Sequence, residues 1–190
     1  MSARPEAMDI SISEYVNAIG RRARVAAREM SRINTGAKNA ALLKIADLID
    51  TSKEKVQSEN QKDLDAGASN GLSDAMLDRL ALTEERISGM ADGLRQVASL
   101  SDPVGAITDL KYQPYGIQVG SICVPLGGIG IIYESRPNVT AAAAALCLKS
   151  GYAAILVGGS EARHSKQVIT QFIIDSLEVS GLPSHGLHEM

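Results

Sequence analysis

Hydrophobic positions change their spacing along this chain, and the changes divide it into parts. From Ser11 to about Ser31, Ile12, Tyr15, Val16, Ile19, Ala23, Ala26 and Met30 recur every three or four residues behind the capping-box pair Ser11 and Glu14. The spacing predicts a first helix. Thr35-Gly36 breaks it, and Leu42, Leu43, Ile45, Ala46 and Ile49 predict a second, amphipathic one. A third is expected from about Lys53 to Ala66, capped by Thr51 with Glu54 three residues on. Asn70-Gly71 marks a turn, Ser73 heads a short helix through Leu80, and Thr83 with Glu84 and Glu85 opens another that carries Ile87, Met90, Leu94 and Val97 inward. Residues 1–101 thus read as a helical segment.

After Asp102-Pro103 the period drops to two. Residues 102–124 read as a hairpin arm, Ala106–Tyr112 and Ile117–Val124 joined by the turn Gln113-Pro114-Tyr115-Gly116. Residues 125–183 read as a βαβ unit. In it, Ile129–Tyr133 has the β-branched pattern of a strand buried on both faces, and Thr140–Lys149 is an Ala- and Leu-rich helix with Gly151 at its left-handed stop. Ala153–Val157 is the second strand, and Val168, Ile169, Phe172, Ile173 and Leu177 mark a closing helix that ends at Gly181-Leu182-Pro183. Right-handed crossover makes the two strands parallel. Residues 184–190 show no period and are expected to fray, with His185 and His188 on them. The fold class is α/β: N-terminal helices, a hairpin arm and part of a doubly wound parallel sheet.

Charge and composition narrow the function. Nineteen Lys and Arg are interspersed among 22 Asp and Glu, for a net charge of −3, which argues against a nucleic-acid surface. Arg21, Arg22, Arg24 and Arg28 read as a solvated helix face. No apolar run is long enough for a membrane span and MSARPEAMDISIS lacks a secretory pattern, so a cytoplasmic chain is expected. Cys123 and Cys147 lie in apolar segments without a nearby His and read as buried free thiols. His164, His185 and His188 have no ligand spacing, so no metal site is expected.

Ligands of doubly wound sheets bind outside the carboxyl ends of the strands. Here those ends are Glu134-Ser135-Arg136-Pro137-Asn138 and Gly158-Gly159-Ser160-Glu161. The glycine pair admits close approach by a phosphate or ribose ahead of a helix N-terminus. It matches neither the dinucleotide nor the P-loop fingerprint, and a plain turn is an equal alternative.

The run PLGGIGIIYESRPNVT, followed by ALCLKSG and ILVGGSEA, resembles γ-glutamyl phosphate reductase, also called glutamate-5-semialdehyde dehydrogenase, of the aldehyde dehydrogenase superfamily. The likeness extends through Asn34–Asn39, Asn60–Leu64 and Leu77–Leu80 to about Pro183. It implies the N-terminal part of that fold: a partial NADP-binding, Rossmann-like domain, with the hairpin in an arm that pairs with another subunit as a homo-oligomer. It also implies NADPH-dependent reduction of γ-glutamyl phosphate to glutamate 5-semialdehyde and phosphate in proline biosynthesis. Relatives do this through a cysteine thiolate in a later domain, so the chain by itself is expected to be a truncated, inactive form.

By the same resemblance Glu134, Ser135, Arg136 and Pro137 face the dinucleotide, and Gly158, Gly159, Ser160 and Glu161 hold the adenosine ribose. Asn138 matches an oxyanion donor, a helix N-cap being its alternative role. Most relatives have Arg at Val157, an acidic residue at Ala142, Asn at Tyr152 and a branched residue at Gly128. Arg163 or Lys166 is the substitute for the missing base near an NADP phosphate. A reading from another class is a non-catalytic remnant that serves as an oligomerising or partner-binding module.

Overall fold

The computed structural model describes residues 11–190. Helix α1 (Ile12–Met30) begins at a reciprocal cap: the Ser11 hydroxyl accepts from the Glu14 N–H at 3.2 Å, and the Glu14 carboxylate accepts from the Ser11 N–H at 3.0 Å. Helix α2 (Thr35–Thr51) is capped by Asn34, and α5 (Glu84–Ser99) by the Thr83 hydroxyl, which accepts from the Arg86 N–H. Between them lie α3 (Lys53–Ser69) and α4 (Asp74–Leu80). The expected cap of α3 by Thr51 does not form. Thr51 ends α2, with its hydroxyl donating back to the Asp47 carbonyl at 2.7 Å, and Ser52 alone separates the two helices.

Strands β1 (Ile107–Tyr112) and β2 (Gln118–Ile122) form the antiparallel hairpin, in register from Ile107↔Ile122 to Tyr112↔Gln118 with an irregularity between Thr108 and Lys111. Both of its faces are exposed, because no other element of the described residues covers either one. Cys123, expected to be buried, is exposed at its foot for the same reason.

The second sheet is parallel, in the order β3 (Gly128–Tyr133), β4 (Ala153–Gly158), β5 (Leu187–Glu189). Helix α6 (Pro137–Lys149) joins β3 to β4, and α7 (Arg163–Val179) follows β4. Three expectations change. Strand β3 lies at the sheet edge among the described residues, with alternate positions half-buried and the others exposed. Helix α6 starts three residues early because Pro137 presets its first turn. The tail expected to fray forms a 3-10 turn (Ser184–Gly186) and strand β5, with Leu187 buried.

Strand β4 places the core. Its alternate residues Ala154 and Leu156 join Leu42, Ile45, Ile87, Leu94, Ile169 and Ile173 in one cluster, while Ala153 and Ile155 on the opposite face meet Ala23, Ala26 and Ala27 of α1. Strand β4 is thus covered on both faces. Buried polar residues tie the layers together. Lys38, 1% exposed, donates to Asp102 at 2.8 Å and to the Lys149 carbonyl at 3.3 Å. Asn60 and Asp63, each 2% exposed, project from α3 into the start of α7.

Candidate functional site

Tyr133 at the end of β3 is in register with Gly158 at the end of β4, so the two predicted ligand loops leave the sheet side by side. The Ser135 hydroxyl donates to the Glu161 carboxylate and bridges them. That hydrogen bond, helped by the Glu161 backbone N–H, holds the Glu161 carboxyl below its ordinary range, so it is an anionic acceptor at neutral pH.

The glycine pair has an internal cause. A Cβ on Gly158 would lie 2.6 Å from Lys166 Cδ and 2.9 Å from the Tyr133 hydroxyl, and one on Gly159 would lie 2.6 Å from Glu161 Oε2 and against the Ser135 hydroxyl. The chain's own side chains fill the space that a Cβ at either position would take. Beneath the turn, the Tyr133 and Thr140 hydroxyls share a 2.7 Å hydrogen bond, and burial pushes the Tyr133 phenol up, so it stays protonated. Lys166, 4% exposed, donates to the Gly158 carbonyl at 3.1 Å and pairs with Glu189 at 3.1 Å. It therefore faces β5 from under the turn. Arg163, at the first position of α7, is exposed.

The start of α7 is set from a distance. The Asp63 carboxylate accepts from the His164 N–H at 2.9 Å, the Ser165 N–H at 2.8 Å and the Ser165 hydroxyl at 2.6 Å. Asn60 donates to Ser165 Oγ at 3.0 Å and to the Leu80 carbonyl at 2.9 Å, and accepts from the Leu82 N–H at 2.7 Å. The short turn Ser160–Ala162, which carries Ser160 and Glu161, is held between this network and β4. Sequence reading missed Asn60, Asp63, Tyr133 and Glu189. A signal existed for two of them: Asn60 and Asp63 fall four and seven residues after the buried Val56, on the inward face of α3.

At the other loop, Glu134 and Arg136 are exposed, Ser135 is half-buried and Pro137 is buried. Arg136 is the N-cap of α6 and Pro137 its first residue, so Asn138 lies two positions past the cap. Its side chain instead borders open space with Arg86 and Arg136. Cys147 is buried and burial pushes its thiol up, the opposite of activation. Among the described residues no three His, Cys, Asp or Glu side chains form a metal-binding group, and no helix is long and apolar enough to cross a membrane.

No model of a known protein family matches the chain. Solved structures do. γ-Glutamyl phosphate reductase from Thermotoga maritima superposes with a TM-score of 0.88 at 34% identity, over 92% of this chain and 42% of that one. The Saccharomyces cerevisiae γ-glutamyl phosphate reductase gives 0.88 at 30% identity, over 95% and 46%. Glyceraldehyde-3-phosphate dehydrogenase GapN from Methanocaldococcus jannaschii, solved with NADP, gives 0.70 at 16% identity over 99% of this chain and 38% of its own, a likeness of fold alone. The chain spans less than half the length of the two reductases. It is similar, over nearly its whole length, to the N-terminal part of γ-glutamyl phosphate reductase, within the aldehyde dehydrogenase fold.

Proposed function

We propose that this chain is the N-terminal, cofactor-holding part of a γ-glutamyl phosphate reductase, an enzyme that reduces γ-glutamyl phosphate with NADPH to glutamate 5-semialdehyde and phosphate. One observation carries the reading: Glu134–Asn138 and Gly158–Glu161 lie together at the carboxyl ends of two adjacent parallel strands, in a chain 34% identical to such a reductase. The chemistry of Glu161 supports a dinucleotide there. Glu161 is an anionic acceptor that already takes a hydrogen bond from a hydroxyl, so ribose hydroxyls would replace Ser135 like for like. Backbone of Gly158–Ser160 and of Glu134–Pro137 would line the rest. When bound, the nicotinamide would supply the hydride.

The chain's own residues bind and orient. Asp63 and Lys166 hold the Gly158–Glu161 turn from behind, and the Asn138 amide stands at the start of α6 as a donor to charge developing on a carbonyl oxygen. Neither cysteine serves as the nucleophile in this proposal: the Cys147 thiol is buried and raised, and Cys123 sits at the foot of the hairpin. The hairpin leaves Ile107, Leu110, Tyr112, Ile117, Val119 and Ile122 exposed, which supports pairing with a second subunit through that arm.

The test is a fluorescence titration of NADPH into the purified chain, with NADH in parallel and Glu161→Gln as the control. Saturable binding at about micromolar levels, roughly −8 kcal/mol, weakened by Glu161→Gln, is expected. No saturable binding by a chain that melts cooperatively overturns the proposal. With glutamate semialdehyde, phosphate and NADP the chain alone is expected to give no turnover.

A further inference from the structure

The four arginines of α1 that read in sequence as one solvated face border two separate clefts. Arg21 and Arg22 line a cavity of about 270 Å³ that also holds Glu29 and His185. Arg24 and Arg28 line a larger one, about 530 Å³, walled on its other side by Pro125, Leu126, Gly127 and Gly128.

The two clefts differ in charge balance. The smaller has a carboxylate, Glu29, among its lining residues, and the larger has none. No ion pair among the described residues includes Arg24 or Arg28. Arg28, in the last turn of α1, complements the carbonyl end of the helix, a role that needs no ligand. Arg24 lies one turn earlier and has no such role. Two guanidiniums one helical turn apart thus border a concave surface that lacks a counter-charge, where the field of both is concentrated.

The floor of the larger cleft is small and apolar. Ala23 and Ala27 of α1 are buried against β4, whose Ile155 is half-buried beside them. A Cβ on Gly20, in the same wall, would meet nothing within 4 Å, so packing among the described residues does not require the glycine. Gly127, at φ +115, is in a conformation that favours glycine, so backbone alone borders the cleft there. The volume is that of a small-molecule site, roughly 300–1,000 Å³, and a concavity of this size fits a compact ligand better than the flat face of a protein partner. The cleft lies at the amino end of β3, which begins at Gly128, whereas the candidate cofactor loops leave from Tyr133, about 16 Å farther along the strand.

We propose that this cleft binds a small organic dianion, with one oxyanion group at Arg24, the other at Arg28, and a short aliphatic body over Ala23, Ala27 and Leu126. Each guanidinium offers a fork of donors that matches the two oxygens of such a group. The spacing of side chains one turn apart, about 6 Å between Cβ atoms, sets the separation of the two groups. Leu126 is 81% exposed, and the aliphatic body removes part of that surface from water. No residue of the cofactor loops takes part, so the assignment stands apart from the reductase reading.

Adipate, which has two carboxylates at about this separation, and hexanoate, which has one on a chain of the same length, are titrated into the ¹⁵N-labelled chain. The same titrations are made with Arg24→Gln, Arg24→Lys and Arg21→Gln, and with NADPH present. Saturable millimolar binding of adipate is expected, with shifts at Gly20, Gly127 and Gly128, and hexanoate is expected to bind about tenfold more weakly. Arg24→Gln is expected to weaken adipate about tenfold at an unchanged melting temperature, Arg24→Lys to retain part of the binding, and Arg21→Gln and NADPH to leave it unchanged. Binding that does not saturate, or that Arg24→Gln leaves intact, overturns the site. An equal loss in Arg21→Gln means diffuse attraction to the arginines of α1 and overturns the cleft. Hexanoate binding as tight as adipate overturns the two-group assignment, and displacement of adipate by NADPH places the anion at the cofactor loops instead.

Discussion

Replacing Asp63 by Ala separates the helical segment from the sheet at their polar junction. The carboxylate is 2% exposed and accepts three hydrogen bonds, at 2.9, 2.8 and 2.6 Å, from the first turn of α7. A hydrogen bond to a charged group contributes about 1.5–3 kcal/mol, and the N–H groups left behind carry their own desolvation cost. The three are not additive, because they converge on one carboxylate and two of them come from Ser165. A loss of about 3–5 kcal/mol follows, a large fraction of the roughly 5–15 kcal/mol that holds a domain together. With a urea slope of about 2–3 kcal/mol/M, the unfolding midpoint falls by about 1–2 M. Asp63→Asn keeps an acceptor oxygen and is expected to lose about half as much. Because α7 directly follows the turn that carries Glu161, the Asn variant is also expected to weaken NADPH in the fluorescence titration. A midpoint shift for Asp63→Ala below about 0.4 M, at unchanged slope, refutes the assignment of Asp63 as the anchor of α7.

Three further outcomes are expected. Gly93→Ala, with open space above it, raises stability by about 0.5–1 kcal/mol in urea unfolding; a decrease means that space is not open. Burial pushes the Asp102 carboxyl up, but hydrogen bonds from Lys38, Val104 and Thr35 outweigh it and hold the group below its ordinary value of 3.8. Its folded pKa is thus lower than its unfolded one, so its contribution is complete at neutral pH and is lost as pH falls below 3.8 through the folded value. Asp102→Asn should flatten acid unfolding in that window; an unchanged profile contradicts the balance. Val157→Arg should favour NADPH over NADH by about tenfold or more, read in the paired titration, and equal gains for both cofactors would show that the new base meets no phosphate.

The helices were legible because each keeps a long period with its own punctuation. Ser11 with Glu14, Asn34, Thr83, Gly151 and Gly181 all act locally, and a cap or a left-handed residue needs no distant partner to take effect. Thr51 failed for an equally local reason: with one residue between two helices, its hydroxyl had a nearer acceptor in the Asp47 carbonyl. Strand β5 was illegible because three residues carry no period. What makes Leu187–Glu189 a strand is the bare edge of β4 and the Lys166 ammonium awaiting Glu189, both far away in sequence.

The candidate site divides along the same line. Pattern located the two loops, since strand ends follow from strands, but not the side chains packed against them. A Cβ on Gly158 or Gly159 would meet Lys166, Tyr133, Ser135 and Glu161. In α5, by contrast, a Cβ on Gly89 or Gly93 would meet nothing within 4 Å. A glycine in sequence records only that a side chain is missing; whether the chain or a ligand needs the gap depends on what stands opposite, which tertiary packing decides. By that criterion the fold itself requires the pair in the turn, whatever binds there, and does not require the pair in α5.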